Sequence, residues 1–182
     1  SGVGRREVLA RFEELSRDRR SGAWEIVLAT LDVALEALGE GLGPGEVLEQ
    51  VSRVAAGHPE MVPLRNLLAF VSALTGSRAP PPDLLASLER LRKAMLDAAG
   101  RIAGEFVRAW RERGARRAMT ISWSSTVLAC LRECHREGLL EEVIVLESLP
   151  LGEGMRTARA LREEGVRVRV VPDSAVAFYM SE

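Results

Sequence analysis

Three short polar clusters, each directly after an apolar run, carry the residue types best suited to chemistry: Ser122, Trp123, Ser124, Ser125 and Thr126; then Glu147 and Ser148; then Asp173 and Ser174. Hydroxyls and unpaired backbone amides at a helix start hold phosphate or carboxylate groups, and the serine cluster stands where a helix begins. The same serines serve equally well as plain helix caps, as does Asp173, and the residues alone leave both readings open. Absent patterns narrow the chemistry. The chain contains no Gly-x-Gly-x-x-Gly and no Walker A run, so neither a dinucleotide nor a P-loop nucleotide is expected, and no cofactor is called for. Its two histidines, His58 and His135, fall outside these loops, which disfavours a Ser-His-Asp triad. Cys130 and Cys134 lie four apart in a helical pattern beside His135. A structural zinc wants four ligands, so the pair is read as reduced structural thiols and no metal site is expected.

Periodicity gives the elements that position these clusters. In the N-terminal half, apolar residues recur at three and four: Val8, Leu9, Phe12 and Leu15; then Ile26, Leu28, Leu31, Leu35 and Leu38 after a candidate cap at Ser21; then Val47, Val51 and Val54 after Pro44. The third helix stops at Gly57-His58-Pro59, because a residue before proline avoids the helical region. A fourth runs from Met61 to Leu74. Pro80, Pro81 and Pro82 mark a stiff boundary, with Asp83 placed to cap the fifth helix. From Leu84 to Arg113 the spacing of Leu88, Leu91, Met95, Ala99, Ile102, Phe106 and Trp110 predicts one helix on the order of 45 Å long.

After Gly114 the period changes. Apolar runs at 117–121, 143–146 and 166–171 alternate with helical segments at 126–137 and 154–164, the rhythm of parallel strands with right-handed crossovers. The expected class is therefore α/β: a helical N-terminal bundle over 1–79, a long connecting helix over 80–114, and a partial Rossmann-like parallel sheet of three βα units over 115–182. In such sheets ligands bind beyond the carboxyl ends of the strands, so the three polar clusters should open onto one crevice. The edge beside the last strand needs a cover, from 175–180, from a partner or from further chain.

Composition excludes several classes. Of 182 residues 47% are apolar and 28% charged, with 25 basic against 26 acidic residues interspersed, so no basic surface for direct nucleic-acid binding is expected. No apolar run is long enough to span a bilayer and the first residues lack a secretory pattern, so no membrane association and a cytoplasmic location are expected.

Four ordered segments, SRDRRSGAWEIVLATLDVAL, HPEMVPLRNLL, MTISWSSTVLACL and VLESLPLGEGMRTARALREEGVRVRVVPDSAVAFYM, together resemble the α/β/δ regulatory subunits of translation initiation factor 2B. The resemblance implies a helical domain followed by a Rossmann-like domain, and a place in homo- or hetero-oligomers, here expected through the sheet edge. The family also contains isomerases of methylthioribose-1-phosphate and ribose-1,5-bisphosphate, so the alternative function is a sugar-phosphate isomerase. That branch implies a pocket lined by the first-strand loop, the Arg-Ser-Gly-Ala region and the Glu-Ser-x-Pro segment. The isomerases carry Thr-His-Cys-Asn after the first strand, with a catalytic cysteine, where this chain has Thr120, Ile121, Ser122 and Trp123. Their Arg-Gly-Ala becomes Ser21-Gly22-Ala23, and their Thr-Arg-Pro becomes Ser148-Leu149-Pro150, which removes a phosphate-binding cation. A serine without a neighbouring base titrates too high to replace a thiol. No catalytic residue is therefore expected, and the reading leans away from an enzyme toward a regulatory or interaction subunit. Binding of a phosphorylated sugar or nucleotide without turnover remains open. Its candidate residues are Arg20, Gly22, Ser122, Ser124, Ser125, Glu147, Glu153, Arg156 and Asp173.

Overall fold

A computed structural model describes residues 4–76 and 83–180, so the triple-proline boundary lies outside the described residues. The N-terminal periodicities become α1 (Arg5–Arg17), α2 (Ala23–Gly39), α3 (Pro44–Gly57) and α4 (Val62–Thr75), followed by α5 (Leu84–Arg113). Then come β1 (Arg117–Thr120), α6 (Ser125–Arg136), β2 (Glu142–Leu146), α7 (Glu153–Glu163), β3 (Val168–Val171), a 3-10 turn at Asp173–Ala175 and α8 (Val176–Tyr179). The chain divides into two compact units, Ser1–Leu96 and Asp97–Glu182, and α5 contributes to both.

In the first unit the apolar stripes close on one another. Val8 and Phe12 of α1, Ile26 and Leu31 of α2, Val47, Val51 and Val54 of α3, Leu64 and Val71 of α4 and Leu88 of α5 are fully buried in one core. Burying each such side chain is worth about 1.5–3 kcal/mol, which is what holds helices of 13 to 17 residues that would be marginal alone. Gly22, not Ser21, is the N-cap of α2. Ser21 is committed one step earlier, because the Asp18 carboxylate accepts the amides of Arg20 and Ser21 at 2.7 and 3.0 Å, while Glu25 accepts the Gly22 amide at 2.8 Å. At the end of α3 a Cβ on Gly57 would fall 2.1 Å from the Ser16 carbonyl oxygen, so only glycine allows α1 and α3 to meet there.

In the second unit the strands lie in the order β1-β2-β3 and both pairs are parallel, with Thr120 opposite Val145 and Val145 opposite Val170. Alternation divides the sheet into two faces. Val143 and Val145 pack with Leu128 and Leu131 of α6, Ala158 and Leu161 of α7, and Phe106, Val107 and Trp110 of α5. Both crossover helices thus cover one face. The other face, with Ile144, Leu146 and Val171 and with Met119 of β1 beside them, is covered by Ala175, Val176 and Tyr179. The final turn therefore lies over a face of the sheet, whereas periodicity alone offered it as a cover for the edge. β2 is buried throughout, as a central parallel strand must be. Cys130 and Cys134 are free thiols buried in α6. Among the described residues no helix is long and apolar enough to cross a membrane.

Candidate functional site

The three polar clusters end up tied to one another at the carboxyl ends of the strands. β1 passes into α6 through Ile121–Ser124, and there Ser122 takes a left-handed φ of 64°. β2 passes into α7 through Glu147–Gly152, and there Ser148 takes φ 61°, followed by a cis Leu149–Pro150 bond. A left-handed φ costs a residue other than glycine about 1–2 kcal/mol, so each turn needs specific partners. The neighbouring loops supply them. The Ser148 hydroxyl accepts the Ser122 amide at 2.6 Å and donates to the Leu146 carbonyl at 3.1 Å. The Ser122 carbonyl accepts the Thr157 hydroxyl at 2.7 Å, and the Ser122 hydroxyl donates to the Glu153 carboxylate.

Asp173, in the turn after β3, fixes the middle loop. Its two carboxylate oxygens accept the amides of Ser148 at 2.8 Å and Leu149 at 2.9 Å. Its side chain clamps the neighbouring loop rather than capping its own turn. α7 reaches this junction because its second residue is Gly154: a Cβ there would lie 1.8 Å from the Leu146 carbonyl oxygen. That proximity lets the Gly154 amide donate to the Glu147 carbonyl at 3.2 Å. Around the rim, the Arg156 guanidinium lies 3.6 Å from the centre of the Trp123 ring. Ser124 is the N-cap of α6, its hydroxyl accepting the Val127 amide at 3.3 Å, and Ser125 is that helix's first residue.

Ser122, Ser124, Ser125, Glu147, Glu153, Arg156 and Asp173 thus gather in the loops and helix starts at one end of the sheet. Arg20 and Gly22 belong to the other unit, in the turn between α1 and α2. Glu147 is half-buried and its carboxylate has no hydrogen bond or ion pair among the described residues. One expectation is corrected. Ser122 does have a neighbouring carboxylate, Glu153, which comes from an element 31 residues away and so is not visible as a local motif. Thr157 and Gly154 join the site without any motif that marks them in the sequence. Their only signal is a glycine at the second position of a helix and a threonine on its buried face. Among the described residues no three His, Cys, Asp or Glu side chains group as a metal site.

Comparison with known proteins gives this architecture its relatives. A ribose 1,5-bisphosphate isomerase of Archaeoglobus fulgidus is 30% identical over 138 residues, which is 68% of this chain and 40% of that protein. A translation initiation factor eIF-2B subunit 2-like protein of Pyrococcus horikoshii is 31% identical over 96% of this chain and 62% of its own length. This chain therefore spans less than two thirds of either relative. Among solved structures, the translation initiation factor eIF-2B of Pyrococcus horikoshii OT3 superposes with a TM-score of 0.74 at 24% identity, over 94% of this chain and 62% of that one. A subunit in the tetrameric eIF2B-β2-δ2 complex from Chaetomium thermophilum superposes with a TM-score of 0.65 at 17% identity, over 94% of this chain and 60% of that one. These two structures share the fold. Residues 45–182 match the initiation factor 2 subunit family over three quarters of the chain, and the protein belongs to that family.

Proposed function

We propose that the protein is a non-catalytic regulatory or interaction subunit of this family, cytoplasmic and working within a homo- or hetero-oligomer. In this reading the strand-end crevice holds a phosphorylated sugar or nucleotide without converting it. The observation that carries the reading is the mutual use of the polar groups at the strand ends. An acid or base must present a free proton site to its substrate. Here the Ser148 hydroxyl bridges the Ser122 amide and the Leu146 carbonyl, and both Asp173 oxygens accept amides. Such a set fixes loop shape. Around that set runs the rim where a ligand would be met: Arg156 over Trp123, the start of α6 and the Glu147 carboxylate.

The alternative, a sugar-phosphate isomerase, is favoured by one specific observation. Glu153 is hydrogen-bonded to Ser122, so the hydroxyl standing in the place of the isomerases' cysteine has a carboxylate base within reach. Two experiments separate the readings. Thermal unfolding with ribose 5-phosphate, ribose 1,5-bisphosphate or a nucleoside monophosphate reports binding, since a ligand at 100 times its Kd adds about 2.7 kcal/mol of stability. Incubation with ribose 1,5-bisphosphate, followed by phosphorus NMR, reports turnover. Stabilisation without a ketose product supports the binding subunit; product formation that is lost in Glu153→Gln supports the isomerase.

A further inference from the structure

We propose that His58 is a pH-driven latch on the turn between α1 and α2, holding Arg19 while its ring is neutral and exchanging Arg19 for Glu60 when the ring is protonated. His58 sits between α3 and α4 and is 1% exposed, the only histidine of the two that is fully buried. Its Nε2 lies 2.7 Å from the Leu15 carbonyl oxygen, which can only accept, so Nε2 carries the ring hydrogen. In the neutral ring Nδ1 is then a lone pair. Facing it at 3.4 Å is Nη1 of Arg19, which can only donate. The same Nδ1 is 3.9 Å from the Glu60 carboxylate.

One ring nitrogen is therefore flanked by groups of opposite demand. A neutral Nδ1 accepts from the guanidinium and has nothing to offer Glu60. Once protonated it cannot accept from Arg19, it repels that cation, and it gains a donor and a charge directed at Glu60. The remaining charged neighbour is Asp18. Burial pushes its carboxyl up, but the Ser21 hydroxyl, the Arg20 and Ser21 amides and His58 together hold it below the usual carboxylate value, so it stays a fixed negative charge while histidine changes state. Histidine is the side chain whose unperturbed charge change falls between pH 5 and 8.

The turn feels the exchange because Arg19 is its strap. The same Nη1 lies 3.3 Å from the Ser16 carbonyl and 3.3 Å from the Asp18 carbonyl, joining the last turn of α1 to the segment that leads into Arg20 and Gly22. Releasing Arg19 loosens the segment that carries these two candidate binding residues. Only this last consequence rests on the proposed function; the latch is a property of the ligand-free chain.

The test is a pH titration of the 15N-labelled, ligand-free protein between pH 5 and 8. At pH 7.5 the His58 ring should be the Nε2–H form, and the amide signals of residues 19 to 22 should move with the same midpoint as the ring. Arg19→Ala should raise that midpoint and Glu60→Gln lower it, because one variant removes a cation and the other an anion beside Nδ1. Both side chains are exposed, so neither variant threatens the fold. A proton on Nδ1 at pH 7.5, a ring that does not titrate, flat signals at 19 to 22 or a midpoint unmoved in both variants would each overturn the latch. A ligand whose affinity does not follow that midpoint would leave the latch intact and count against Arg20 and Gly22 as its contacts.

Discussion

Asp173 shows how one side chain sets the shape of the strand-end loops. Replacing it with alanine leaves the Ser148 and Leu149 amides without their acceptor and releases a serine held at a left-handed φ. Hydrogen bonds to a charged group are worth about 1.5–3 kcal/mol, so Asp173→Ala should lower the urea midpoint of the second unit by the equivalent of about 2–3 kcal/mol. An unchanged midpoint would mean that water replaces the carboxylate at no cost. The two thiols give a second expectation. Burial pushes the Cys134 thiol up to about 11, with Cys130 and Glu133 adding to the effect, and burial raises Cys130 as well. Both should therefore be protonated from pH 7 to 9 and resist a thiol-specific reagent until denaturant is added. Stoichiometric labelling of native protein at pH 8 would show that α6 opens. At this scale the sequence told least. A serine carries no mark of positive φ, and the bonds joining Ser122, Ser148, Glu153 and Asp173 span 25 to 31 residues, so no local pattern announces them. Only glycine at 154, at the start of a helix, hinted at a close approach.

Helices and strands, by contrast, were largely legible. The three-and-four spacing from Leu88 to Trp110 fixes α5 between Asp83 and Gly114, and the structure has it at Leu84–Arg113. The parallel order of β1, β2 and β3 follows from their rhythm with α6 and α7, as the register shows. Harder to foresee was where 175–180 would go, since a short apolar segment suits an edge or a face equally. The buried Ile144 and Leu146 decide it by drawing Val176 and Tyr179 across the face. The cap of α2 falls one residue later, at Gly22, whose amide donates to Glu25, while Asp18 accepts the Ser21 amide in the turn before it. α5 also makes a prediction at this scale. Gly100 and Gly104 stand inside it with open space around the position a Cβ would take. Gly100→Ala and Gly104→Ala should each stabilise the protein by about 0.5–1 kcal/mol and raise Tm, because alanine loses less conformational freedom in a helix. A fall in Tm at either site would show that this surface of α5 is packed in solution.

For the whole molecule, membership of the initiation factor 2 subunit family joins two kinds of relative, one named for isomerisation and one for translation initiation. The protein spans only part of the length of each, so its own activity has to be measured on this chain. Ile121, Leu149 and Leu151 in the loops after β1 and β2, Met155 in the first turn of α7 and Phe178 in α8 are exposed, as apolar side chains are on a surface that meets another protein. Light scattering after size exclusion should accordingly give a mass above 19.9 kDa, whereas a strict monomer at high concentration would count against a role in an oligomer. The distinction between holding a phosphorylated sugar and converting it is decided by phosphorus NMR of ribose 1,5-bisphosphate incubated with the protein at a concentration where thermal unfolding reports binding. The resonances of the bound sugar phosphate should persist with no ketose bisphosphate formed. Ketose appearing with the wild-type chain, and abolished in both Ser122→Ala and Glu153→Gln, would contradict the non-catalytic role.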